Sequence, residues 1–394
     1  MNIPALLSKE AQAFIKVHEQ ADVTDLVLQS PSTPAGLSIQ ELVQQIAARQ
    51  TLKAKIPTWY QESRTLIPDA IALQQSSSER TALYKQKLVV GDLGIDLTGG
   101  LGVDSFFLSQ KFKRFIYIEL DPQRAAVAAH NFKVLGAHNI EVVSKDCAEF
   151  MAKLQVKADV IYLDPARRKD QKKVFQLSDC TPDLIALWPK IADKAQQIMI
   201  KLSPLMDLQL TIKEIPNVCA VHILSIDNDC KELLVQTAEN PGSLTIHTYN
   251  ATKHLTQEFS FSWDAQQSAT LDFEGVQNFL YEPNASILKA GAFNLIPQAF
   301  GVKKLAANTH LYTSKELILD FPGRKFEVKW TSAYKRKELK KRLQNHQANI
   351  TVRNFPHSVA QIRQQTGLKD GGKDYLFACR DLEGSPIIIG CEKI

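Results

Sequence analysis

No stretch of this 394-residue chain approaches the ~18 consecutive apolar residues of a membrane-spanning helix, so no membrane association is expected. The opening MNIPALLSKEAQAF has no basic segment followed by an apolar core, so no secretion signal is expected either. Cysteine is sparse, at Cys147, Cys180, Cys219, Cys230, Cys379 and Cys391. These form no C-x-x-C pair and stand near no histidine cluster. That pattern argues against a structural zinc or other metal site, and reduced thiols in a cytoplasm fit it better than a disulfide framework. Neither sign of charge dominates: 47 Lys and Arg face 42 Asp and Glu, for a net +5. The placement of the cations therefore matters more than their number. No internal repeat or low-complexity tract occurs.

What is present is ordinary for a globular protein, with 44% hydrophobic and 23% charged residues. At roughly 100–200 residues per domain, two to four domains are expected. Residues 1–85 read as helical. Ile39, Leu42, Val43 and Ile46 recur at the three-and-four spacing of an apolar helix face. Ser38 before them and Glu41 three residues later form a capping-box pattern. Residues 86–240 alternate strand and helix, which implies an α/β domain with a parallel sheet covered on both faces. CAVHILSI and ELLVQTA, joined by the polar turn DNDCK, read as two closing strands of a seven-stranded sheet. Residues 241–324 read as a mixed α+β connecting region with antiparallel strands. Residues 325–394 read strand, basic helix, strand, helix and two strands, a small α+β domain.

The first clear strand ends in GIDLTGGLGVDS, residues 94–105. Glycines there let the backbone turn sharply and approach a ligand closely. Gly99, Gly100 and Gly102 do not have the G-x-G-x-x-G spacing of a dinucleotide loop, and the G-K-[ST] ending of a phosphate loop is absent. Acids recur at successive strand ends: Asp96, Glu119, Asp146 and Asp164. They fall on the carboxyl edge of the sheet, where open α/β sheets bind ligands. An acid such as Glu119 can accept ribose hydroxyls, and Asp146 can accept from an adenine amino group.

This run resembles the class I S-adenosylmethionine-dependent methyltransferases, whose first motif is an acid followed by G-x-G-x-G. Thr98 stands here in place of the first glycine. More narrowly, QQSSSERTALYK, DLTGGLGVDS, LDPARR, KLSP and YEPNASILKAGAF make the chain similar to a bacterial family of such enzymes with a C-terminal THUMP-like domain. The resemblance implies a Rossmann-like sheet, a ferredoxin-like connecting region and S-adenosyl-L-methionine as cofactor. It places Asp96 and the loop of Thr98, Gly100 and Gly102 at the methionine moiety, with Asp104 and Asp164 also at the cofactor. It places Glu119 at the ribose and Asp146 near the adenine.

It also puts Asp164, Pro165 and Arg167 in the catalytic fourth motif. In enzymes that methylate exocyclic amino groups of bases, an acid and the following carbonyl accept from the target amine. Catalysis of that kind is mainly positioning with electrostatic help. Arg167 stands where an aromatic side chain usually stacks, and a guanidinium can stack on a base or grip a phosphate. Arg168 and Lys169 fit a solvated basic loop or a general attraction for phosphate. The spelling D-P-A-R also resembles enzymes that methylate carbon-5 of uridine, which use a cysteine after the fifth strand. Ser203-Pro204 occupies that place, so carbon methylation would need Cys180 or Cys230 to reach the site. Tyr84 and Lys85, just before the first strand, can either contact the cofactor or pack on the sheet.

Residues 323–346 carry nine Lys or Arg against two Glu. On a helix, Lys337, Lys340 and Lys341 share one face while Leu339 and Leu343 form a buried seam. Such a face can contact an RNA backbone or simply be solvated, and the resemblance to THUMP-like domains favours RNA. The expected function is methylation of a base nitrogen in tRNA or rRNA. A methyltransferase for a protein or small molecule, and a non-catalytic RNA-binding protein, are the alternatives.

Overall fold

The computed structural model describes residues 1–29, 31–167, 177–270, 272–343 and 346–394, with the backbone only at Arg167, Gln267 and Lys340. The chain divides into two units: residues 1–218 with 235–241, and residues 219–234 with 242–394. Among the described residues no helix is long and apolar enough to cross a membrane.

The first unit opens with helices. Ile39–Lys55 starts at the expected capping box: the Ser38 hydroxyl accepts from the Glu41 N–H, and the Glu41 carboxylate accepts from the Ser38 N–H. Leu42, Ile46 and Leu52 are buried along one face, as their spacing requires. Further along, Trp59 joins one apolar cluster with Phe106, Phe107, Tyr117 and Phe132. Burying an aromatic side chain of this size contributes about 1.5–3 kcal/mol. The helical segment and the sheet that follows therefore share a core.

That sheet contains β1 (Gly91–Asp96), β2 (Phe112–Glu119), β3 (Ile140–Ser144) and β4 (Ala158–Leu163). A short antiparallel pair follows, β5 (Ala166–Arg167) and β6 (Cys180–Thr181), and then β7 (Ala195–Leu202). β1 pairs in parallel with β2 and β4, β2 with β3, and β4 with β7. The spatial order is β7-β4-β1-β2-β3, with a further strand on the outer side of β7, so β7 is an inner strand. Ile161, Tyr162 and Leu163, like Ile198, Met199 and Ile200, are buried on both faces, as a helix-covered parallel sheet requires. The chain builds outward from β1 through β2 and β3, then crosses to the other side for β4 and β7. The crevice at the carboxyl ends of β1 and β4 is thus a topological switch point.

A hairpin of β8 (Val218–Ile226) and β9 (Asp229–Ala238) contributes residues to both units. Its turn holds Asp227 and Asn228 at φ +50° and +64°, the left-handed pair that two-residue hairpin turns demand. In the second unit β10 (Thr245–Ala251) lies parallel to β8, and β11 (Thr256–Ser262) runs antiparallel to β10.

The second unit also contains β12 (Phe279–Pro283), β13 (Lys303–Ala306), β14 (Thr309–Ser314) and β15 (Gly323–Ala333). After these come β16 (Asn349–Val352), β17 (Asp374–Arg380) and β18 (Pro386–Lys393). They form one sheet in the order β13-β14-β12-β15-β18-β17-β16. β15 pairs with β12 on one side and β18 on the other, and so joins the two halves of this sheet. Glu282 reinforces the join. Its buried carboxylate accepts from Arg324 Nε and Arg353 Nη2, each at 2.6 Å.

Candidate active site

The chain leaves β1 at Asp96 and turns over the sheet edge through residues 97–102. Asp96 is only 1% exposed. Its Oδ1 accepts from the Thr98 amide at 2.9 Å and the Thr98 hydroxyl at 3.3 Å, and its Oδ2 accepts from the Ser105 hydroxyl at 2.5 Å. The acid therefore ties the loop to the helix Val103–Ser109 that follows it. A Cβ at Gly99 would lie 2.3 Å from the Tyr117 ring. Gly102, at φ +85°, would place one 2.7 Å from Phe132. The loop runs so close to β2 and its neighbours that only glycine fits. At the end of β2, Glu119 accepts from the Gly100 N–H at 2.8 Å and from the Asp121 N–H at 2.9 Å.

Beneath the loop lies a layer of buried charge. Lys85, fully buried on the helix Glu79–Gln86, reaches Ser77 Oγ at 2.6 Å and Asp104 Oδ1 at 2.8 Å. Asp104 Oδ2 accepts from Ser77 at 2.7 Å and from the Tyr162 hydroxyl at 2.6 Å. Lys201, on β7 and 9% exposed, pairs with Asp164 Oδ2. The Asp164 N–H donates to the Thr98 hydroxyl at 2.6 Å. Thr98 thus links Asp96 at the end of β1 to Asp164 at the end of β4.

Three carboxylates, Asp96, Asp104 and Asp164, face two ammonium groups, Lys85 and Lys201. Burial pushes the Asp96 carboxyl up to about 7, against its bonds to Ser105 and Thr98. Burial also pushes Asp104 up, but the charges of Lys85 and Lys201 outweigh it and hold Asp104 below its ordinary value. For Asp164, burial outweighs the attraction of Lys201, and the carboxyl lies above its ordinary value. The set is left one positive charge short when all three acids are ionised.

A family model described as a ferredoxin-like domain matches residues 279–322, and one described as THUMP domain-like matches residues 323–393. The crystal structure of a "putative methyltransferase" from Porphyromonas gingivalis W83 matches with a TM-score of 0.87 at 31% identity, covering 97% of each chain. The chain belongs to the class I S-adenosylmethionine-dependent methyltransferase family with a C-terminal THUMP-like domain. An "uncharacterized S-adenosylmethionine-dependent methyltransferase" of Mycobacterium tuberculosis (strain ATCC 25618 / H37Rv) is 26% identical over 138 residues. That match spans 35% of this chain and 37% of the relative's length. An "uncharacterized protein" of Methanocaldococcus jannaschii is 33% identical over 114 residues, 28% of this chain and 39% of that one.

Within this family fold, Asp96, Thr98, Gly100, Gly102, Glu119 and Asp164 come together around the loop. Asp104 joins them from below, with both oxygens engaged by Lys85, Ser77 and Tyr162. Asp146 lies beside them along the edge, two residues beyond Ser144, which is in register with Glu119. Its Oδ1 caps the helix Cys147–Lys153. Pro165 is buried next to Asp164. The backbone of Arg167 pairs with buried Cys180 across β5 and β6; the Arg167 side chain, Arg168 and Lys169 lie outside the described residues. Cys230 falls in the second unit, where burial pushes its thiol up to about 11, away from a reactive thiolate.

On the basic helix Arg336–Arg342, Lys337 and Lys341 are exposed while Leu339 and Leu343 are buried; the Lys340 side chain lies outside the described residues. Sequence reasoning passed over Ser77, Tyr162 and Lys201, and left Lys85 between two roles. The available signal was a lysine inside the apolar run of a central strand, Ile198 to Leu202, where a bare ammonium is costly.

Proposed function

We propose that the first unit binds S-adenosyl-L-methionine over the Thr98–Gly102 loop and methylates a base nitrogen of tRNA or rRNA. The observation that carries this reading is the Thr98 hydroxyl, which bonds to Asp96 and to the Asp164 amide. It sets the acid that would orient the acceptor directly beside the loop that would hold the cofactor.

The donor set suits a sulfonium. Once Asp96 is ionised the acids outnumber the buried cations by one, so a positively charged ligand completes the charge and favours that ionised form, whereas a polyphosphate would be repelled. Glu119 would take the ribose hydroxyls and Asp146 the adenine edge, with the Thr98–Gly102 backbone at the methionine moiety. When bound, the cofactor supplies a methyl carbon: an N–C bond forms as the C–S bond breaks, and the electron pair stays on sulfur. Asp164 and the Pro165 carbonyl accept from the target amine and aim its lone pair, which supplies orientation and electrostatic help to the transfer. Arg167 would take the base plane or a flanking phosphate. In the second unit the exposed Lys337 and Lys341, with Lys340, would track an RNA backbone.

The test is transfer from labelled S-adenosylmethionine to total RNA of a strain lacking the gene, followed by digestion to nucleosides. Label on a base amino nitrogen is the expected result. Label found instead in protein or small metabolites overturns the reading.

A further inference from the structure

Lys201 stands where a cation is hardest to accommodate. It is flanked by Ile200 and Leu202 on a central strand, and the residue is 9% exposed. A desolvated ammonium costs several kcal/mol unless it is paired. The register explains its partner: Leu163 on β4 lies opposite Ile200 on β7, so the next pair along the edge is Asp164 and Lys201. Among the described residues, Lys201 takes Asp164 Oδ2 and Thr98 takes the Asp164 amide, while Oδ1 makes no hydrogen bond and the side chain is 36% exposed.

We propose that Lys201 is a positioning residue: by occupying Oδ2 it holds Asp164 as a carboxylate whose Oδ1 receives the proton of the acceptor amine. This rests on the proposed transfer for its purpose, but the ion pair can be tested without it. A methylated amine nitrogen carries one N–H too many. That proton moves to Oδ1, the nitrogen becomes neutral, and Asp164 becomes a carboxylic acid until solvent takes the proton at product release. Lys201 keeps the carboxylate ready for the next acceptor. The other charged groups near Asp164 are Asp104 and Asp96, whose charges oppose ionisation, and Lys85, which favours it. Lys85 is already committed to Asp104, so Lys201 is the cation that serves Asp164 directly.

The experiment follows the aspartate carboxyl carbons of the full chain by 13C NMR, with Asp164 assigned by loss of its signal in Asp164→Asn. In Lys201→Met the Asp164 midpoint should rise by about one pH unit or more, while Lys201→Arg should stay near wild type. An unchanged midpoint in Lys201→Met overturns the proposal. If Lys201→Met does not fold, the double variant Lys201→Met/Asp164→Asn decides. Recovery of the fold supports charge compensation, and a second failure makes Lys201 a packing residue and overturns it. A shifted midpoint in a protein that labels no RNA would sink the transfer reading and leave the role of Lys201 toward Asp164 standing.

Discussion

Thr98 is the residue at which this chain departs from the glycine pattern of its family's first motif, and its hydroxyl explains the departure. It donates to Asp96 and accepts from the Asp164 amide. Thr98→Val keeps the shape but strands that amide, which should cost about 1–3 kcal/mol in urea unfolding; Thr98→Ser should cost much less. Equal losses in the two variants would remove the hydroxyl from the account. Asp96 gives a second expectation, in pH. Its folded carboxyl titrates near 7 against an ordinary 3.8. Between those values the unfolded chain has released the proton that the folded chain retains, so stability falls as pH rises through this window. Asp96→Asn removes the slope. Relative to wild type it should gain up to about 4 kcal/mol between pH 4 and pH 7, read as the difference between unfolding curves at the two pH values. A difference that does not change with pH would contradict the placement of Asp96.

At the scale of elements, the parallel sheet was legible because buried strands read as apolar runs and acids punctuated their ends. The acid series on the carboxyl edge could be counted along the sequence because each strand contributes one turn to the same edge. The charge layer below it was not legible. Ser77 and Lys85 share one segment, but Asp104, Tyr162 and Lys201 come from three others, and no local spacing announces contacts that only the sheet order creates. The same limit applied to Glu282, which stands in an ordinary strand pattern yet binds Arg324 and Arg353 from two distant segments. Breaking a buried pair leaves uncompensated charge. The arginines left behind are each about a third exposed, so Glu282→Ala should destabilise the second unit by about 1–3 kcal/mol, measured by hydrogen exchange in β12 and β15. Unchanged protection there would mean the two arginines are adequately solvated without it.

At the scale of the whole molecule, the chain joins a cofactor-type sheet edge in one unit to a THUMP-like segment with a cationic helix in the other. If that helix carries RNA, charge reversal at Lys337, Lys340 and Lys341 should weaken RNA binding at low salt. Each lost phosphate contact lowers the slope of log affinity against log salt by about 0.7–0.9, so the triple variant should flatten it by about 2 to 3. An unchanged slope would take the helix out of the interface. On the proposed function, Asp164 orients a nitrogen acceptor on RNA beside the cofactor loop. The most direct test compares wild type with Asp164→Ala, using labelled S-adenosylmethionine and RNA from a strain lacking the gene. Labelled RNA is expected with wild type, with loss of that label and retained cofactor binding in Asp164→Ala. RNA labelled equally by both proteins, or label appearing only in protein or metabolites, would contradict it.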